Sequence, residues 1–483
     1  MANARDGFPA YRGAMEYVCQ GCGSRFPAAE LYYTCPDCGG VFLLEDTRFA
    51  ELAETSGATW REIFDSRAAS KHPALQGIFR FYELVAPILE PEDIVSPGEG
   101  RTPVVRANAD LEERVGRALA FKNEGQNPSA SFKDRGMACA FSYVQSVMRH
   151  KQWEHMLTLC ASTGDTSAAA AMYAAYVGSR ITAVVLLPQG KVTPQQLAQP
   201  LGSGARVLEL PGVFDDCMKV VEHLADTCPV ALLNSKNSWR ILGQETYAFE
   251  VAQWADWNTG DKAVFVPVGN AGNISAIMAG FLKLHRLGII SELPQIFGVQ
   301  SCHADPVYRY YSSPPGERRY EPVSVRSSVA QAAMIGDPVS FPRVRSLARQ
   351  YQALAGESAF QVVQVTEQEI VEGMLEANRN GHIACTQGGE SLAGLLRAVR
   401  QGSVSRDKTA VLNATAHSLK FQSFQQMYFE DGFPPEYDIV PRPELINRPR
   451  QVRGGDISPG ADRDAFVTGA AGEIKELLGL SGD

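Results

Sequence analysis

The sequence predicts an α/β fold of open, twisted sheets preceded by a small cysteine-bearing segment. Three observations lead there. Short apolar runs alternate with helical patterns from about residue 118 to residue 413, the rhythm of βαβ units in sheets covered by helices. At 483 residues the chain exceeds what one small core can organise, so two or three domains are expected. Two CxxC pairs, Cys19 with Cys22 and Cys35 with Cys38, set the first 48 residues apart from the rest. The expected division is a metal-ribbon-like segment over 1–48, a helical lead-in over 49–100, a core of two α/β subdomains over 101–440, and a tail over 441–483.

A chain that is 45% hydrophobic and 20% charged has ordinary globular composition. A net charge of −9 and a pI near 5.5 argue against a general nucleic-acid or membrane-surface binder. No stretch reaches the ~18–20 continuous apolar residues of a membrane span. The first residues, Met1 to Asp6, lack the apolar run of a secretory signal. The ten cysteines are not spaced as a disulfide framework, so a reducing cytoplasm is expected.

In the ribbon, Leu31 to Thr34 reads as a strand between the two cysteine pairs. Two CxxC turns across a hairpin can place four thiolates at the corners of a tetrahedron, which suits Zn2+ or iron. With Cys19, Cys22, Cys35 and Cys38 filling every position, such an ion would be structural; four unmetallated thiols are the alternative. A nucleic-acid role has only Arg12 and Arg25 to draw on. The lead-in reads as helical over Phe49–Glu54, Trp60–Ser66 and Arg80–Leu84, broken by Pro87, Pro91 and Pro97.

Thr102–Val105 and Ala118–Lys122 read as strands, with Lys122 at a strand end directed either to solvent or to an anion. The polar loop Asn127–Ser131 then gives way to an apolar helical run, Met137 to Met148. Lys133 falls near that helix start, where the macrodipole disfavours a cation. An ammonium so placed shifts toward the neutral amine that attacks carbonyls.

Met156–Cys160 is a short strand, followed by the turn Ala161–Ser167 and an Ala-rich helix, Ala168 to Val177. Small side chains there leave backbone N–H groups open to a carboxylate. Strands at Ile181–Leu187, Ala205–Leu210 and Ala231–Asn234, with a helix near Gln195–Leu201, continue the alternation. The polar cluster Asn234 to Arg240 opens a long helix, Ile241 to Trp254. Amide, hydroxyl, Lys236 and Arg240 at a helix start suit a mobile phosphate.

Ala263–Val268 is a buried strand running into Gly269-Asn270-Ala271-Gly272-Asn273 and the helix Ile274–Leu284. Glycines allow close backbone approach and the helix start supplies donors, which together make a phosphate cradle. It is neither a Walker motif nor a GxGxxG dinucleotide fingerprint. Ile296–Gln300, Val362–Val365 and Ala410–Asn413 complete the strands, with a helix at Glu367–Asn378. Residues 303–345 form a long Pro-, Arg- and Tyr-rich connection without a structural reading. The tail ends in a helix near Ala470–Leu478.

Five motifs stand in order: NPSASFKDRG, ASTGDTSAA, NSKNSWRILGQ, VPVGNAGNISA and ATAHSLKF. Over roughly residues 100–425 this series resembles the threonine synthases, within the tryptophan-synthase-β-like, fold type II group of pyridoxal phosphate (PLP) enzymes. The resemblance implies two open twisted-sheet domains with the cofactor in the cleft between them. It implies that Lys133 joins the cofactor aldehyde and that Phe132 packs against the cofactor ring. Asp165 would stand beside the 3′-oxygen, where many members carry Asn. Gly269, Asn270, Ala271, Gly272 and Asn273 would hold the cofactor phosphate, with Thr415 at the pyridine nitrogen. Lys122, Ser162, Thr163, Thr166, Asn234, Ser235 and Arg240 would bind the substrate carboxylate and phosphate, with His417 nearby.

The implied substrate is O-phospho-L-homoserine, converted with water to L-threonine and phosphate by γ-elimination and β-replacement. A cytoplasmic homodimer with one structural zinc is expected, without nucleic-acid or membrane partners. Two alternatives stand beside this. One is a phospholyase or cysteate-synthase-like relative acting on O-phosphoserine; the other is a non-catalytic metal-ribbon regulatory protein.

Overall fold

A computed structural model describes residues 11–161, 164–189, 194–212, 214–227, 230–454, 456 and 458–480. It divides into two compact units. One spans the chain to Gln425 together with Phe433–Ile439, and the other comprises Gln426–Gly432 and the chain from Val440 onward.

In the first unit the strands, in chain order, begin with β1 (Met15–Cys19), β2 (Arg25–Pro27) and β3 (Phe42–Asp46). These are followed by β4 (Val104–Arg106), β5 (Leu119–Asn123), β6 (Met156–Ala161), β7 (Ile181–Pro188), β8 (Arg206–Leu210) and β9 (Val230–Leu232). The last four are β10 (Lys262–Pro267), β11 (Gln295–Ser301), β12 (Phe360–Val365) and β13 (Thr409–Ala414). They form three sheets, ordered β2-β1-β3, β12-β11-β10-β13-β5-β4 and β8-β7-β6-β9. The four-stranded sheet is parallel. The six-stranded sheet is parallel except for its edge strand β4, which runs antiparallel to β5. The central strands β5, β10 and β11 are buried along their whole length. That is why they read as continuous apolar runs rather than as alternating ones.

The ribbon differs from its expected form. Leu31–Thr34 is not a strand; β1 pairs antiparallel with both β2 and β3. Tyr32 packs edge-on against Tyr17, with ring centroids 5.9 Å apart, and also against Phe26 and Phe42. The apolar residues of that stretch thus serve an aromatic cluster instead of a ladder.

The lead-in is part of the core. Phe64 and Phe81 pack edge to face at 5.0 Å, Phe81 meets Phe249, and all three are fully buried. Burying one such ring is worth roughly 1.5–3 kcal/mol. The apolar face of the helix Lys133–Lys151, from Met137 to Met148, joins the same cluster as the ribbon and the lead-in.

The long helix expected from Ile241 to Trp254 is two, Ser238–Gln244 and Thr246–Trp254, meeting at Glu245. The uninterpreted stretch 303–345 contains the helix Pro306–Ser312 and enters the helix Phe341–Ala355. There Tyr320 stacks on Phe341 with centroids 4.0 Å apart. Helices at Phe214–Thr227 and Thr386–Arg400 went unread in the sequence. In the second unit, Asp462 caps the helix Arg463–Leu477, accepting from Ala465 N–H at 3.0 Å.

Candidate active site

Five loops meet at C-terminal strand ends of the two larger sheets. Those after β5, β10 and β13 come from the six-stranded sheet, and those after β6 and β9 from the four-stranded one. Such strand ends are where ligands bind in open α/β sheets.

The loop before Lys133 is clamped to the segment after β13. Phe132 N–H donates to Thr415 O at 2.9 Å, and His417 N–H donates to Ala130 O at 3.1 Å. Ser131 and Ala416 form an isolated bridge. Ala130 is left-handed, at φ 64°. The N–H of Ser129 donates to Asp134 Oδ2 at 2.8 Å, closing the turn from the helix side. The first and last of the five motifs are therefore one structure. Lys133 opens its helix partly buried, with Nζ 4.2 Å from the centroid of the Phe132 ring.

Two glycines bring the polar 234–240 cluster to that lysine. A Cβ on Gly136 would lie 2.8 Å from Arg240 O, and one on Gly243 would lie 2.2 Å from Arg135 O. The helices Lys133–Lys151 and Ser238–Gln244 can cross this closely only without side chains there. Arg240 is buried as a result; its Nη1 donates to Leu233 O at 3.1 Å, and its Nε has no partner among the described residues. Burial pulls the Arg240 guanidinium down to about 10. Asn234 accepts from Lys236 N–H at 2.9 Å and leaves its Nδ2 unpartnered among the described residues. Ser235 is half-buried in the same turn.

Burial lowers the Lys133 amine to about 7, the Arg240 charge adds to the drop, and Asp165 opposes it. Desolvation and a neighbouring cation, not the helix dipole anticipated from sequence, are the leading causes. The neutral fraction falls about tenfold for each pH unit below 7. Rebinding of cofactor to the stripped protein, followed by visible absorbance, should slow about tenfold per unit below pH 7 and level off above it.

Asp165 opens the helix Asp165–Val177, and its Oδ1 pairs with Lys420 Nζ at 2.8 Å. Lys420 also donates to Ser129 O at 2.9 Å. Sequence reasoning left Lys420 unassigned, although it lies within ATAHSLKF. Thr166 follows Asp165, half-buried, while Ser162 and Thr163 lie outside the described residues. Thr415 is buried with its Oγ1 3.5 Å from Cys385 Sγ. His417 stands at the rim, its Nδ1 accepting from Leu419 N–H at 3.2 Å.

The helix Gly272–Arg286 starts without a side-chain cap, behind Ala271 in the left-handed conformation at φ 62°. Among the described residues no side chain caps its first N–H groups, as an anion cradle requires. A Cβ on Gly269 would strike Ala333 Cα at 2.8 Å. Asn270 O is held by Ser340 N–H at 3.0 Å, and Asn273 Nδ2 is buried without a partner among the described residues. An uncapped helix start, a glycine-lined turn and an orphaned amide fit a phosphate-bearing cofactor.

Lys122 corrects its expected role. It is fully buried and donates to Glu250 Oε2 at 2.6 Å and to Thr102 O and Oγ1 at 2.5 Å each. Its charge is consumed in a network with Arg135, Glu124 and Arg80, so it faces no substrate anion.

At the ribbon, the Sγ atoms of Cys19, Cys22, Cys35 and Cys38 all lie within 4.8 Å of one another, with Cys19–Cys38 at 3.5 Å and Cys22–Cys35 at 3.6 Å. A tetrahedral zinc with Zn–S of about 2.3 Å would separate its sulfurs by roughly 3.8 Å. The four thiols fit such an ion.

The pyridoxal-phosphate-dependent enzyme family model matches residues 95–416. The threonine synthase of Methanocaldococcus jannaschii is 36% identical over 406 residues, covering 83% of this chain and 92% of that protein. The threonine synthase of Mycobacterium tuberculosis is 36% identical over 351 residues, 72% of this chain and 90% of that one. Among solved structures, threonine synthase from Escherichia coli superposes with a TM-score of 0.61 at 20% identity, covering 88% of this chain and 94% of the other. PLP-bound threonine synthase from Brucella melitensis gives 0.58 at 20% identity, covering 85% and 90%. These two share the fold. With the family model over residues 95–416 and relatives matched along most of their length, the chain belongs to the threonine synthase family of pyridoxal-phosphate-dependent enzymes.

Proposed function

We propose that the chain converts O-phospho-L-homoserine and water to L-threonine and phosphate. The observation that carries this is the pairing of an amine lowered to about 7 at Lys133 with a buried guanidinium at Arg240 that meets no carboxylate among the described residues. The first suits proton transfer, the second a departing phosphate dianion.

The cofactor, when bound, supplies an aldehyde and an electron-poor ring that drains negative charge from the substrate carbons. Gly269, Asn270, Ala271, Gly272 and Asn273 would hold its phosphate, and Thr415 would face its pyridine nitrogen. A hydroxyl there, unlike a carboxylate, does not favour protonation of that nitrogen, which moderates the charge drained at Cα. Asp165, fixed by Lys420, would stand beside the 3′-oxygen.

Lys133 takes the proton from Cα. Being near neutral in charge balance at physiological pH, the same amine can return a proton and take the one at Cβ. Arg240 and the Asn234 amide bind the leaving phosphate, while Ser162, Thr163 and Thr166 would orient the carboxylate. Buried charges of this kind need no reorganisation when phosphate leaves.

The ribbon cysteines would hold one structural zinc, and a cytoplasmic homodimer is the expected form. Among the described residues no helix is long and apolar enough to cross a membrane.

A substrate one methylene shorter changes binding by only about 1–3 kcal/mol. Competing O-phosphohomoserine against O-phosphoserine at steady state should favour the longer ester in kcat/KM by at least about tenfold. Preference for O-phosphoserine would replace the substrate while keeping the chemistry.

A further inference from the structure

Arg343 is a fully buried cation that pairs with no carboxylate among the described residues. Its five N–H groups instead meet five uncharged oxygens. Nε donates to Phe42 O in β3 of the ribbon at 2.7 Å. Nη1 donates to Ser235 O at 2.9 Å and to Ser340 Oγ at 2.8 Å. Nη2 donates to Lys236 O at 2.9 Å, with Ser238 Oγ at 3.5 Å.

These acceptors come from three places: the ribbon, the turn that precedes Arg240, and Ser340. Ser340 in turn donates its N–H to Asn270 O in the glycine cradle. One planar fork thus ties both anion-binding loops to the cysteine segment. Ser238 reinforces the tie, its Oγ donating to Phe42 O at 3.0 Å, and Trp239 Nε1 donates to Tyr17 Oη at 3.0 Å. Folding spends a large desolvation cost on a guanidinium that forms no ion pair here. A neutral amide, with two N–H donors, could not serve all three segments, so the tie itself calls for the guanidinium fork. A charge in that position adds positive field beside Arg240, where a dianion is expected.

We propose that Arg343 is a positioning residue for the phosphate site. It holds the 234–240 turn and the 269–273 cradle in register and makes their geometry depend on an intact cysteine ribbon. This rests on the reading of the 234–240 turn as the phosphate site.

The test uses the holoenzyme with Arg343→Gln and Arg343→Lys, and inorganic phosphate as the probe in calorimetric titration. Arg343→Gln should raise the phosphate Kd tenfold or more. The KM for O-phosphohomoserine should rise in step while kcat changes less than threefold. Lysine keeps the charge but cannot serve all three segments at once, so Arg343→Lys should fall between. Cys22→Ser/Cys38→Ser, at the two exposed thiols, should weaken phosphate binding severalfold in the parent and less than twofold further in Arg343→Gln.

Unchanged phosphate affinity in Arg343→Gln would overturn the proposal, as would a loss confined to kcat. If that variant is insoluble, unchanged affinity in Arg343→Lys overturns it equally. Additive losses from the cysteine pair would overturn the coupling to the ribbon. Phosphate binding without turnover of O-phosphohomoserine by the parent would count against the proposed reaction alone.

Discussion

Lys133→Ala is expected to abolish turnover of O-phosphohomoserine and the visible absorbance of bound cofactor together. In the proposed reaction the amine both anchors the cofactor and moves the protons, and general acid–base transfer alone contributes about 10²–10⁴-fold. Loss of the covalent anchor comes on top, so kcat/KM should fall by at least about 10⁴-fold. Fold should survive. Lys133 is only partly buried and begins a helix that Asp134 and Arg135 hold in place, so the thermal transition should move little. Stopped-flow absorbance and phosphate release read the two effects separately. Retention of either one would assign the chemistry to another amine, with Lys420 the nearest candidate through its Asp165 ion pair.

The second large effect is on stability. Arg135, two residues past Lys133, is fully buried. It donates to Glu124 Oε2 at 2.7 Å, Glu250 Oε2 at 2.6 Å and Thr246 Oγ1 at 3.1 Å. Burial pushes the Glu250 carboxyl up, but the charges of Arg135, Lys122 and Arg80 outweigh it and hold it well below the usual range. Removing one member of such a buried network leaves uncompensated charge and costs about 3–5 kcal/mol. Arg135→Met should therefore lower the Tm by several degrees. Arg135→Met/Glu124→Gln should recover part of the loss, because the second change removes the stranded carboxylate. Equal Tm values for Arg135→Met and the parent would show the network to be energetically idle.

What could be read from sequence follows a physical division. The chemistry proposed for the glycine turn at 269–273, the lysine at 133 and the arginine at 240 restricts residue types locally, so each stands out in its own motif. Most strands were legible as well, because β5, β10 and β11 are buried on both faces and show as short apolar runs.

What could not be read depends on distant partners. Lys122 looks like any strand-end lysine until Glu250, 128 residues away, is folded against it. Arg343 has no motif; its meaning lies in Phe42 and Ser235, brought to it from far along the chain. The lowered basicity of Lys133 was expected for the wrong leading reason, since burial and Arg240 arise only when two helices cross at Gly136 and Gly243. The helix Thr386–Arg400 begins with Thr-Gln-Gly-Gly, which reads as loop, yet Cys385 caps it through Gly388 N–H at 3.4 Å.

The central claim is that the Lys133 nitrogen, its basicity lowered to about 7 by burial and by Arg240, is the atom that captures the cofactor aldehyde. Reduction of the holoenzyme with borohydride, followed by proteolysis and mass mapping, tests this at the atom concerned. The account predicts one pyridoxyl phosphate adduct, on Lys133, accompanied by loss of turnover. An adduct on Lys420 or any other lysine, or none at all, would contradict it.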